Sequence, residues 1–221
     1  METIKKSTLD FLKKLKENNS RDWFIANKPA YSEAKQNYEA FVKEILDKII
    51  EIEPIMNGLE VSSCTYRINR DIRFTNDKSP YKSHLGAFIV RGGKQNGDRY
   101  AGYYFHVEPG NNSMIAGGAY MPPAPWLAEI RERIDEEGEK IVKILKKKEF
   151  AEFFGGLDGE KLKSAPKGYA KDHPYIEMLR MKSFLVVKML PDDEITSEKC
   201  FAMVIKAVKL MKPLNDFLNG N

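Results

Sequence analysis

The sequence predicts an α+β fold: an antiparallel sheet meander with helices packed mainly on one face. Three observations carry that expectation. Tyr31, Ala34, Tyr38, Phe41, Ile45, Ile49 and Ile52 recur at three- and four-residue steps. Between Leu59 and Met121 the apolar period changes to two. Within that region "GGKQNG" and "EPGNNS" read as hairpin connections, and consecutive strands joined by short turns pair antiparallel.

The elements follow in order. Ser7 is suited to cap a first helix, with Asp10 at its third position, and Leu9, Leu12 and Leu15 form its apolar stripe. Asn18–Asn19 suit its exit, and Trp23 and Phe24 are expected to pack as an aromatic plug. The second helix has Pro29 in its first turn and Pro54 at its end, and Asn57–Gly58 reads as a turn. Strands are expected near 60–74, 84–91, 100–108 and 113–120. "MPPAPWL" then opens a helix lined by Leu127, Ile130, Ile134, Ile141 and Leu145, whose basic end Lys146–Lys148 complements the helix dipole. Asp172 is suited to cap a short helix near His173–Pro174, "SFLVVKML" reads as a strand, and a last helix starts near Ser197. Pro213 should kink or end that helix. With no repeat and no low-complexity linker, one domain over 1–221 is expected. Its parts are N-terminal helices over 7–53, a sheet over 59–121, and C-terminal helices with one strand over 124–218.

Composition narrows the function classes. At 221 residues with 42% hydrophobic content, the chain can bury a sizeable core. The net charge of +4 is too mild to indicate a nucleic-acid binder without local clustering. Cys64 and Cys200 stand alone, without CxxC spacing, and read as reduced buried thiols. The N-terminus is too charged for a signal peptide, and no apolar run approaches the roughly 20 residues needed to span a bilayer. A soluble cytoplasmic protein with no membrane partner is expected.

Charge gathers in "YRINRDIRFTNDKSPYK", residues 66–82. Read as a strand, it turns Arg67, Asn69, Asp71 and Arg73 one way and Tyr66, Ile68, Arg70, Ile72 and Phe74 the other. Arg70 is the odd member of the inward row, and a guanidinium there needs a carboxylate or carbonyl partner. The loop that follows holds Lys78, Tyr81, Lys82 and His84 near the strand end, stiffened by Pro80. Arginine forks and ammonium groups beside a hydroxyl and an imidazole suit a phosphate, sulfate or carboxylate. Arg70–Asp71 or Arg73–Asp77 pairs would instead pin the loop. In "YAGYYFHVEPG", alternation puts Tyr104, His106 and Glu108 on one face. His84, His106, Glu108 and Asp71 have no sequence-local metal spacing, so no metal site is expected. Lys167, Tyr169 and His173 read chiefly as an ordinary surface turn.

These segments also carry a resemblance. "FLKKLKENNSRDWFIANKPAY", "YRINRDIRFTNDKSPYK", "GYYFHVEPG" and "PKGYAKDHPYIEMLRMKSF" resemble, in order along nearly the whole chain, the bacterial and fungal family catalogued as domain of unknown function 2461. The resemblance implies one conserved domain and assigns no activity, substrate or cofactor. The shared motif positions include Arg67, Arg70, Asp71, Arg73 and Asp77 through Lys82, with no catalytic roles attached.

The leading expectation is a pocket for an anionic, phosphate-bearing ligand, built from Arg67, Arg73, Lys78, Tyr81, Lys82 and Tyr104. Arg70, Asp71 and Asp77 would serve as structural ion-pair residues. Were the chain an enzyme, His84 or His106 would be the acid–base group. The alternatives are a nucleic-acid or protein-binding module on the open sheet face, or a scaffold pinned by its charged loop. No cofactor is assigned.

Overall fold

A computed structural model describes residues 2–73 and 75–221. Helix α1 spans Lys6–Glu17, α2 Arg21–Ala26 and α3 Lys28–Ile52, and a short α4 covers Val61–Cys64. Strands β1 (Leu85–Ile89), β2 (Gly102–Val107) and β3 (Ser113–Ala119) follow. Helices α5 (Ala124–Lys146), α6 (Lys148–Phe154) and α7 (Ile176–Leu179) precede β4 (Phe184–Leu190). Helices α8 (Asp192–Ile195) and α9 (Cys200–Asn219) close the chain.

The four strands form one antiparallel sheet in the order β1-β2-β3-β4. Alternation sends Ala87, Tyr103, Phe105, Val107, Ile115 and Val186 inward, where all are buried. Helices cover that face. Tyr38 of α3 stacks on Phe105 and donates its hydroxyl to the Phe105 carbonyl at 3.0 Å, and Phe41 packs on the same ring. Helix α9 lies directly on β3: a Cβ at Gly117 would fall 2.6 Å from Met211 Sδ. The architecture is therefore α+β with an antiparallel sheet, helices mainly on one face. The other face bears Phe88, Tyr104, Met114, Leu185 and Val187, all partly exposed, together with exposed Met189.

Several local expectations are corrected. Among the described residues of 60–73 there is no strand. Thr65 makes one isolated bridge to Ala87, and Tyr66 N–H donates to the Gly86 carbonyl at 2.9 Å. The chain then leaves the edge of β1 and pairs with itself. Arg70 N–H donates to Pro80, Lys82 N–H donates to Ile68, and Asn69 bridges Tyr81. The burial alternation survives without a ladder: Arg67, Asn69, Asp71 and Arg73 are exposed, Ile68 is buried, and Arg70 and Ile72 are half-buried. Tyr66 breaks the pattern by being 41% exposed. Phe74 lies outside the described residues.

The caps differ as well. Ser7 lies within α1, whose start is instead held by Asn37: its Oδ1 accepts from Lys5 N–H at 2.9 Å and from the Thr8 hydroxyl at 2.8 Å. Asp172 does not cap the short C-terminal helix. The N-cap is Tyr175, without a side-chain cap bond; just before it, His173 Nδ1 accepts from Tyr175 N–H and Nε2 lies against Asp135 of α5. Pro213 sits inside α9, which continues to Asn219.

Among the described residues, no helix is long and apolar enough to cross a membrane.

Candidate functional site

The charged loop uses much of its charge on itself. The Arg70 guanidinium pairs with Asp77, and Arg73 forks onto both oxygens of Asp71 at 3.0 and 2.7 Å. The partners are thus the reverse of the expected Arg70–Asp71 and Arg73–Asp77. Asp77 Oδ1 also accepts from the Ser79 N–H and hydroxyl, making a turn about Lys78. Those bonds and Arg70 hold the Asp77 carboxyl far below its ordinary value. Lys78 turns back to the Ile72 carbonyl at 3.0 Å. Tyr81 is buried and stacks on Phe24, ring centroids 4.0 Å apart.

Two cations are arranged differently. Lys82 Nζ donates to the Arg67 carbonyl at 3.0 Å and sits over the Tyr66 ring. Burial, and then the nearby Arg67 charge, lower the Lys82 ammonium from its usual value. Neither Lys82 nor Arg67 makes a salt bridge to a carboxylate among the described residues.

Beside them, on the uncovered face, stand His84, Tyr104, His106 and Glu108. The β1–β2 register places Gly86 opposite His106, and one step beyond Leu85–Val107 brings His84 across from Glu108. Tyr104 Oη lies 2.9 Å from His106 Nδ1, and His106 Nε2 lies 3.1 Å from Glu108 Oε2. The other Glu108 oxygen, Oε1, accepts from the Ser83 hydroxyl at 3.1 Å and lies 3.5 Å from Lys16 Nζ. The His84 and His106 rings are 4.3 Å apart. One ligand atom each from His84, His106 and Glu108 falls within 4.8 Å of the others. Asp71 is not among them.

Burial disfavours the charged form of both imidazoles. Burial, then the neighbouring His106, and the Lys82 and Arg70 charges push His84 down to about 4, against the pull of Glu108. Burial lowers His106, partly opposed by Glu108. Burial would raise Glu108, but hydrogen bonds from His106 and Ser83, with the histidine charges, carry it below its ordinary value. Burial, with Tyr66 and Glu108, raises the Tyr104 phenol to about 12.

Gly86 makes room for this row. A Cβ there would lie 2.9 Å from the Tyr104 hydroxyl, so the phenol crosses the strand only over a glycine. Of the expected residues, the fold therefore gathers Arg67, Lys82, His84, Tyr104 and His106. It turns Arg73, Lys78 and Tyr81 into loop contacts. Glu108 and Tyr66 join the gathered residues, although the sequence marks neither as a ligand residue. Alternation along β2 already pairs Glu108 with His106; Tyr66 has no comparable signal. The Lys167–His173 turn has its contacts on α5, through His173–Asp135.

A family model described as "Conserved hypothetical protein (DUF2461)" matches residues 7–217. The chain belongs to the DUF2461 family. That match includes the charged loop, all four strands and the His84–His106–Glu108 row. Neither a curated protein nor a solved structure matches the chain. Membership in DUF2461 supplies no activity.

Proposed function

We propose that the protein binds a small anionic, phosphate-bearing ligand where Arg67, Lys82 and Tyr66 meet the Tyr104–His106 end of the uncovered sheet face. One observation carries this reading. Lys82 is held in place by a carbonyl and an aromatic face, beside Arg67, without a carboxylate to neutralise it. A fixed ammonium next to a guanidinium provides charge and donors for a phosphoryl group. Tyr66 and Tyr104 add aromatic surface and hydroxyls for the rest of such a ligand. Arg70, by contrast, is a loop-pinning residue through Asp77.

Calorimetric titration with inorganic phosphate, sugar phosphates and nucleotides tests the reading. At least one should bind, weaken with added salt, and lose about 10-fold or more in affinity with Lys82→Ala or Arg67→Ala, one charge-assisted contact being worth roughly 1.5–3 kcal/mol. Lys78→Ala should leave binding unchanged. No binding by any anion at low salt would sink the reading, as would equal losses from Lys78→Ala and Lys82→Ala.

A further inference from the structure

We infer that His84, His106 and Glu108 form a mononuclear site for a divalent transition ion of the zinc class. The inference stands on their geometry and rests on the proposed anion site only for its purpose, which would be to give the bound anion a metal to ligate. Two imidazoles and one carboxylate are a donor set that first-row ions of this class take, with coordination positions left over for water or ligand.

The spacing is close to that of a bound ion. Metal–ligand bonds of roughly 2.0–2.2 Å place neighbouring donors about 3.0–3.5 Å apart. His106 Nε2 and Glu108 Oε2 already stand 3.1 Å apart. Since the three donors lie within 4.8 Å of one another, His84 has to close by at most about 1.8 Å, which a side-chain rotation supplies.

The surrounding groups orient the donors correctly. Before an ion binds, His106 Nε2–H donates to Glu108 and Nδ1 accepts from the Tyr104 hydroxyl; an ion that takes Nε2 displaces that proton to Nδ1, where Tyr104 Oη is placed to accept it and fix the ring. Ser83 and Lys16 occupy Oε1 of Glu108 and leave Oε2 turned to His106. His106 is nearly buried at 6% exposure, whereas His84 and Glu108 are half-buried, so the open positions face the uncovered side of the sheet. Lys82 and Arg70 stand close enough to His84 to disfavour a cation there. An anion shared between the ion and Lys82 removes that conflict.

The test loads the full-length, chelator-stripped protein with Zn2+ or Co2+ alone, without phosphate. Equilibrium dialysis should give one ion per chain, and Co2+ should give a visible ligand-field spectrum. His84→Ala and Glu108→Gln should each abolish that spectrum and weaken Zn2+ by at least about 10-fold. Tyr104→Phe should weaken Zn2+ by roughly 10–100-fold, as loss of an orienting partner does. Circular dichroism checks that each variant is folded, and Glu108→Gln, nearly isosteric, keeps the test valid should His84→Ala unfold. Lys82→Ala should retain the metal. Stoichiometric uptake that Glu108→Gln leaves intact, or no uptake by the wild type, overturns the metal site. Should metal uptake fail in this way, phosphate binding that vanishes with Lys82→Ala would still keep the anion reading.

Discussion

Asn19 and Tyr81 clamp each other through backbone and amide. Asn19 Nδ2 donates to the Tyr81 carbonyl at 2.9 Å, and Asn19 Oδ1 accepts from the Tyr81 N–H at 3.1 Å. The amide thus acts as one extra rung of ladder for a loop that has left its sheet. Asn19→Ala should remove both bonds and lower stability by about 1–3 kcal/mol in urea unfolding, two neutral hydrogen bonds contributing roughly 0.5–1.5 kcal/mol each. Amide exchange of residues 67–82 should accelerate more than that of β2. An unchanged exchange profile would show that the Phe24–Tyr81 stack alone holds the loop.

The buried Tyr103 hydroxyl donates to Glu53, which is only 8% exposed. Burial raises the Glu53 carboxyl, opposed by the Tyr103 hydrogen bond and Lys212 and assisted by Asp216. A raised carboxyl favours folding most at pH below its unfolded value, and that contribution is lost as pH climbs through the folded value. Wild type minus Glu53→Gln stability should therefore be largest near pH 4 and shift in favour of Gln toward pH 7. Chemical denaturation across that range measures it, and a difference that does not vary with pH refutes the burial argument.

Gly86→Ala should act on Tyr104 rather than on the fold. The new methyl meets the end of a phenol, which can swing away, so stability should fall by no more than about 1–3 kcal/mol. The Tyr104–His106 contact should break, seen as a changed His106 imidazole nitrogen shift in NMR. A retained shift would mean that Tyr104 does not need the glycine.

Gly118 and Gly58 share positive φ, at +117° and +83°, but differ in surroundings. A Cβ at Gly118 would fall 1.9 Å from the Phe184 carbonyl oxygen, while one at Gly58 would stand in open space among the described residues. Gly58→Ala should cost about 1 kcal/mol, from backbone strain alone. Gly118→Ala should cost more than about 3 kcal/mol or prevent folding, because the β3–β4 ladder has to part. Comparable melting temperatures for the two variants would contradict this.

Helices α3, α5 and α9 were legible because their apolar residues recur at a period that only a helix satisfies. The charged segment shows where such reading fails. Residues 66–73 keep much of the two-residue alternation of a strand, yet a strand also needs a neighbour along its length. Its neighbour is the second half of its own loop, a partner that no periodicity reports. The site was half legible for a related reason. His106 and Glu108 alternate on one strand, so their shared face follows from sequence. The meeting with His84 depends on the β1–β2 register, and the turn of Lys78 and Arg73 into the loop depends on individual rotamers.

The long excursion between β3 and β4 has a consequence for the order of assembly. These strands are sheet neighbours, yet residues 120–183, with α5, α6 and α7, lie between them. The β1–β2–β3 meander closes through short loops, whereas β4 has to wait for a distant segment to return. Pulse-labelled exchange during refolding should show β2 amides protected before those of β4. The last strand to join the sheet is then the one whose arrival completes its uncovered face.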